Sequence, residues 1–207
     1  MSQSVNPKAV VFDIGRVMVH WDLDLLYRER IADPDQRAWF IANVVSEEWH
    51  RQHDGGRELA AMVAERKAQF PEYASLIDAY AEDFLESIPG EVDGMVAILE
   101  ELAANDVPIF ALTNFADTFW TQFSREHGWS KHFRDVVVSG REKLLKPDPA
   151  IYALAEDRYG YPGEALFFTD DTPANVDGAR EAGWDAEVFR DAPTFRAQLV
   201  ARGFLPA

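Results

Sequence analysis

Four apolar residues, Ala9 to Phe12, run without interruption into a single carboxylate at Asp13, after which Ile14-Gly15 turns the chain away. Such a run predicts a strand buried on both faces, as in the middle of a parallel sheet. The next residues, Arg16 to Asp22, read as a short extended excursion. From Leu23 to about Ser87 the pattern changes. Leu25, Leu26 and Tyr27, then Trp39, Phe40 and Ile41, then Leu59, Met62 and Val63, then Leu76, Ile77, Tyr80 and Phe84 recur at helical spacing. Pro34 and Pro71 stand where helices begin, and Gly55-Gly56 breaks the middle of the block.

Beyond Pro89-Gly90, helix and strand patterns alternate. The apolar stripe from Val92 to Leu102 predicts a helix, Ile109 to Leu112 a strand ending in Thr113-Asn114, and Val136 to Val138 a strand ending in Ser139-Gly140. Pro149 opens a helix through Arg158. Ala165 to Phe168 is a strand ending in Thr169-Asp170-Asp171, and Ala174 to Ala182 a helix stopped by Gly183. Glu187 to Phe189 and Ala192 to Ala201 are the last strand and helix. This alternation predicts an α/β fold with a doubly wound parallel sheet and right-handed crossovers. The helical block is inserted after the first strand, giving an α/β core over 1–17 and 89–207 and a helical unit over 18–88. An insertion at that edge is placed to act as a lid.

Composition narrows the partners. The 207 residues are 47% hydrophobic and 27% charged, and 20 Lys+Arg against 36 Asp+Glu leave a net charge of −16. That balance argues against nucleic acid or an anionic membrane as partner and means that any anion must be held by local positive charge. The absence of cysteine excludes disulfides, thiolate metal sites and a Cys nucleophile. The opening MSQSVNPKAV lacks the pattern of a secretory signal, and no run approaches 18 apolar residues, so the expected setting is cytoplasmic.

Four strand ends present polar groups toward one crevice, which is where open α/β sheets bind ligands. They are Asp13, Thr113 with Asn114, Lys146 just past the third strand, and Asp170 with Asp171. Three carboxylates repel one another unless a hard cation neutralises them, and Mg²⁺ takes a few carboxylates while keeping positions open for phosphate oxygens. A carboxylate nucleophile beside a cation, a lysine and hydroxyl or amide donors is suited to phosphoryl transfer.

The segments FDIGRV, LTN, SGREKLLKPDPAIY and FFTDDTPANVDGAREAGW resemble the four ordered motifs of the haloacid dehalogenase-like (HAD) superfamily of hydrolases, across nearly the whole chain. The inserted block resembles the helical cap of one subgroup, with the D-x-G-N-V branch of sugar-phosphate phosphatases nearest in motif. The resemblance implies that Asp13 becomes an aspartyl-phosphate, Thr113 binds a phosphoryl oxygen with Asn114 close by, and Lys146 bridges nucleophile and phosphate. It further implies that Asp171, Asp13 and the carbonyl of Gly15 hold Mg²⁺, while Asp170 bonds Lys146 or a metal-bound water. Asn175 falls where many members carry a further acid.

Two departures matter. Gly15 stands where most phosphatases of the superfamily have a second aspartate that protonates the leaving group, and Arg16 stands where the resembling branch has asparagine. Lys143 occupies a position where glycine is common. The leading expectation is a Mg²⁺-dependent phosphomonoester hydrolase acting on a small phosphorylated metabolite. Two alternatives stand beside it: a 2-haloacid dehalogenase, which needs neither metal nor acid, and a catalytically weak protein that binds a phosphorylated ligand or a partner. In the helical block His20, Trp21, Trp49, His50, His53, Asp54 and Arg57 are candidates to line the crevice, and His50 with His53 is a weak metal signal without a third ligand.

Overall fold

The computed structural model describes residues 7–206. Its centre is β1 (Ala9–Phe12), flanked by β2 (Ile109–Thr113) and β4 (Leu166–Asp170), with β3 (Asp135–Val138) and β5 (Asp185–Val188) at the edges, in the order β3-β2-β1-β4-β5. All four pairings are parallel. The chain moves one way from β1 to β2 and β3, then crosses back to β4 and β5. Asp13 therefore follows the strand at the topological switch, the position where doubly wound sheets form their ligand crevice.

The unbroken apolar run of β1 divides by its two-residue period. Val10 and Phe12 face a core with Ile109, Phe167 and Phe195. Ala9 and Val11 face a second core with Phe110, Leu112, Leu166 and Phe168. Both faces need apolar side chains, so no polar residue interrupts the run before Asp13.

Between β1 and β2 lie α1 (Leu23–Arg28), α2 (Pro34–Asn43), α3 (Glu47–Asp54), α4 (Leu59–Gln69) and α5 (Ala74–Asp83), with 3₁₀ turns at Pro71–Tyr73 and Phe84–Ser87. Asp33 caps α2 by accepting from the backbone N–H of Asp35 and Gln36, with Pro34 at the first helical position. Tyr80 and Phe84 of this block pack against Phe119, joining its apolar interior to that of the sheet. The remaining helices are α6 (Met95–Ala104), α7 (Asp117–Glu126), α8 (Ser139–Glu142), α9 (Pro149–Tyr159), α10 (Pro173–Glu181) and α11 (Ala192–Ala201).

The extended excursion begins only at Val19, because residues 16–18 form a turn. Ile14 O accepts from the N–H of Met18 at 2.8 Å, closing a tight turn with Arg16 at φ 58°. Val19 then forms an antiparallel bridge with Glu91, the His20 N–H donates to Gly90 O at 2.9 Å, and the Val92 N–H donates to Met18 O at 2.9 Å. The two strands of chain that enter and leave the helical block are thus zipped together. That pairing, with Gly94 at φ 83°, delays α6 to Met95 although the apolar stripe begins at Val92. The helix α8 was not expected from Ser139-Gly140, and β5 starts two residues before the expected Glu187 to Phe189.

Candidate active site

Asp13 follows β1 and anchors its backbone N–H on Thr169 O at 2.9 Å. Its Oδ1 accepts from Lys146 Nζ at 2.8 Å, and the ammonium also donates to Asp170 Oδ2 at 2.6 Å and to Leu112 O at 2.8 Å. Lys146 is fully buried, and its three N–H groups have three acceptors. What it can offer a ligand is its charge rather than a free donor.

The loop that carries Lys146 is clamped through its backbone. Asn114 Oδ1 accepts from the Lys146 N–H at 2.9 Å, Asn114 Nδ2 donates to Lys146 O at 3.1 Å, and Arg51 of α3 donates to the same oxygen at 3.0 Å. Asp170 is also saturated: Oδ1 accepts from the Thr172 N–H at 2.8 Å and from Asn175 Nδ2 at 3.0 Å. The residue standing where many relatives have a further acid is thus an amide donor to Asp170. Thr113 Oγ1 is buried with no partner among the described residues, an open hydrogen-bonding site at the end of β2.

Carboxylate oxygens of Asp13, Asp170 and Asp171 lie within 4.8 Å of one another. Burial pushes the Asp13 carboxyl up to about 7; the charges of Asp170 and Asp171 push the same way against the pull of Lys146. Burial also raises Asp171, with Asp170 adding to it. For Lys146 burial pulls down, but Asp13 and Asp170 outweigh it and hold the ammonium above its ordinary range. One lysine does not compensate three carboxylates. A hard, oxygen-seeking dication fits this donor set, and Asp13 and Asp171, which line the cavity, are the members open to it.

The cavity above the cluster measures about 380 Å³ and lies between the sheet's C-terminal edge and α3. Asp13, Gly15, Asn114, Lys146 and Asp171 line its floor; Thr113 and Asp170 stand behind that lining. A Cβ built on Gly15 would meet nothing within 4 Å. Of the candidates in the helical block, Trp21, His50 and Asp54 reach the cavity. His20 is exposed, Trp49 packs edge-on to Tyr80, and Arg57 pairs with Glu65 on the surface. His53 bonds Arg57 O and Thr118 Oγ1, so it shares no ligand with His50.

Sequence reading passed over Glu47 and Arg51, which also line the cavity. With His50 and Asp54 they occupy positions i, i+3, i+4 and i+7 of α3, a polar stripe at the spacing usually searched for apolar faces. That stripe was the available signal.

Among known proteins, a family model for haloacid dehalogenase-like hydrolases matches residues 7–183. Flavin mononucleotide hydrolase 1 of Arabidopsis thaliana, a chloroplast protein, is 30% identical in an alignment of 115 residues that covers 52% of this chain and 44% of that protein. The chain therefore spans less than half the length of this curated relative. A HAD family enzyme of Bacteroides thetaiotaomicron superposes with a TM-score of 0.76 at 16% identity, covering 94% of this chain and 99% of its own. The L-2-haloacid dehalogenase of Xanthobacter autotrophicus superposes with a TM-score of 0.63 at 18% identity, covering 97% and 85%. At these identities the superpositions speak to the fold.

Proposed function

The chain belongs to the haloacid dehalogenase-like hydrolases, and on that premise we propose that it is a Mg²⁺-dependent phosphatase acting on a small phosphorylated metabolite. The observation that carries this reading is the cluster of Asp13, Asp170 and Asp171 around a single lysine. Two further carboxylates beside Asp13 would repel a carboxylate substrate, which disfavours the dehalogenase. The same excess suits a divalent cation and, with it, a phosphate. The Bacteroides enzyme has been crystallised with magnesium and inorganic phosphate, and the Arabidopsis relative is a hydrolase of a phosphomonoester, both in keeping with this reading.

In the proposed reaction Asp13 is the nucleophile. Its Oδ1 is held by Lys146, so Oδ2 is the oxygen free to attack phosphorus. The P–O bond to the leaving group breaks as the new bond forms, giving an aspartyl-phosphate that water then hydrolyses to restore Asp13. Lys146 screens the charge between nucleophile and phosphate, and Asp170 and Asn114 hold it in place. The hydroxyl of Thr113 is the donor for a phosphoryl oxygen. Mg²⁺, held by Asp13, Asp171 and the Gly15 carbonyl, would supply charge neutralisation at the phosphate. Residue 15 offers no acid, so an alkoxide leaving group takes its proton from water, and substrates with good leaving groups, such as sugar 1-phosphates or the acyl phosphates whose carboxylate needs no proton, are favoured. Residues 18–88 serve as the cap that covers this site.

The test is phosphate release from a panel of phosphomonoesters with Mg²⁺ and with EDTA, with 2-haloacids assayed in parallel. Metal-dependent release that Asp13→Asn abolishes supports the proposal. Halide release without metal would move the assignment to the dehalogenase. Phosphate binding without turnover would instead favour a ligand-binding role, the reading that Gly15 keeps in view.

A further inference from the structure

The cap side of the cavity holds a carboxylate that the proposed chemistry does not use. Asp54, the last residue of α3, is 6% exposed and lines the cavity. Its Oδ2 lies 3.2 Å from His50 Nε2, while no described donor meets Oδ1. The imidazole is stacked against Trp21 (centroids 5.0 Å apart, planes at 27°) and against Phe84 (5.2 Å, 14°). Phe84 in turn stacks on Phe119 at 4.0 Å, and the Arg16 guanidinium lies 4.7 Å over Trp21.

Tyr80 fixes the proton on this ring. Its hydroxyl meets His50 Nδ1 at 2.5 Å and has no other acceptor among the described residues, so it donates there. Burial pushes the phenol well above its ordinary pKa and keeps it protonated. With Nδ1 accepting from Tyr80, Nε2 is the ring nitrogen left on the side of Asp54, 3.2 Å from its Oδ2. From the core side, Ser139 Oγ donates to the Asp54 carbonyl at 2.6 Å, so the residue is held by both units.

A carboxylate in this position repels phosphate, so its partner must be a donor on the rest of the substrate. An ammonium group would seek an aromatic face, but Trp21 and Phe84 already carry stacked partners. The buried Nε1–H of Trp21, in the same wall, also lacks an acceptor among the described residues. A hydroxyl can donate to a carboxylate and accept from an N–H, whereas an ammonium has no lone pair. We propose that Asp54 selects substrates by accepting a hydrogen bond from a hydroxyl on the leaving group, with His50 and Tyr80 as positioning residues. The proposal rests on the phosphatase reading and narrows its substrate class to hydroxylated phosphate esters over flat aromatic or aliphatic ones.

The experiment compares kcat/KM for a hexose 1-phosphate with that for cyclohexyl phosphate, a ring of the same size without hydroxyls. Differences in leaving-group ability cancel when each variant is divided by the wild type. Asp54→Asn, nearly isosteric, is expected to lower the hexose-to-cyclohexyl ratio about 10- to 100-fold, as for loss of a hydrogen bond to a charged acceptor. Tyr80→Phe, which removes only the hydroxyl orienting His50, should raise KM for the hexose ester with kcat changed less. A ratio that stays within about threefold in both variants overturns the role of Asp54 and leaves the phosphatase reading standing. Wild-type protein that releases phosphate from other members of the panel but not from the hexose ester overturns the proposal alone, and release from none of them overturns both.

Discussion

Replacing Gly15 with aspartate tests the mechanism by adding what the chain lacks. A Cβ at residue 15 would have no heavy atom within 4 Å, and the backbone there is not in the left-handed region. The Cβ can therefore be added without displacing anything. It would stand two residues after Asp13, on the same cavity lining as Asp171, as a fourth carboxylate in a site that already raises the pKa values of two. That environment favours the protonated form, which a general acid needs at neutral pH. General acid catalysis contributes about 10² to 10⁴ in rate where it is fully developed. In a site not shaped around the new acid, about 10- to 100-fold is expected, and only for esters whose leaving oxygen needs a proton. The assay is kcat for an alkyl phosphate against an aryl phosphate over pH 5 to 9, with Mg²⁺. Gly15→Asp should speed the alkyl ester, leave the aryl ester within about threefold, and add a descending alkaline limb to the alkyl profile. An equal fall on both esters, with unchanged Mg²⁺ dependence, would refute the claim that the missing acid limits catalysis with poor leaving groups.

Lys146→Met removes the only cation bonded to Asp13 and Asp170 among the described residues, and breaking such a buried pair costs about 3 to 5 kcal/mol; thermal melts should show a loss of about 10 °C, and added Mg²⁺ should restore part of it. Lys143 is exposed and sits at φ 57° as the C-cap of α8, so Lys143→Gly should stabilise the protein by about 0.5 to 1 kcal/mol in urea unfolding, and a loss of stability would deny the strain. Burial holds the His53 pKa below its ordinary value, against the pull of Arg57 O, Asp54 and Glu58 and with His50 adding to the depression. The unfolded chain then binds the proton more readily, so the stability that His53 contributes is present above about pH 6.5 and is lost as pH falls through the folded-state value. His53→Gln should accordingly flatten the dependence of Tm on pH below 6.5 relative to wild type, and parallel curves would place the acid sensitivity elsewhere.

The parallel sheet was legible because β1, β2 and β4 are buried on both faces and need unbroken apolar runs. The strand-end residues were legible for a related reason: a polar group that terminates such a run has no core role to explain it. What the sequence hid was how these residues act on one another. Asn114 spends both ends of its amide on the Lys146 backbone rather than on a ligand, and Asn175 spends its amide on Asp170. These contacts span 32 residues and 5 residues, and nothing in local pattern separates a clamp from a ligand. The cavity wall on α3 was hidden differently. Its buried face is Trp49, His50, His53 and Asp54, three of them polar, while Glu47 and Arg51 are exposed, so hydrophobicity alone does not mark which side of the helix meets the cavity. The turn after Gly15 escaped because Val17, Met18 and Val19 are all buried and imitate a strand.

The site's charges bear on binding as well as on chemistry. The cavity lining contains Asp13, Glu47, Glu48, Asp54 and Asp171 against Arg16, Arg51 and Lys146. Each cation is already engaged: Arg16 by Glu47, Arg51 by the Lys146 carbonyl, and Lys146 by Asp13, Asp170 and Leu112. The Arg16–Glu47 pair is half exposed and worth little, so Arg16 is the one that can be recruited at small cost. In a chain with a net charge of −16, these residues alone do not assemble a phosphate site. Affinity for the substrate dianion should therefore depend on the divalent cation before any bond is broken. Inorganic phosphate titrated into the protein by calorimetry is expected to bind with Mg²⁺ and to give no measurable heat in EDTA, with Arg16→Ala weakening the Mg²⁺-dependent binding by less than about tenfold. Equal phosphate affinity with and without Mg²⁺ would mean that the protein's own cations suffice, and that the carboxylate cluster is compensated in some way other than by a metal.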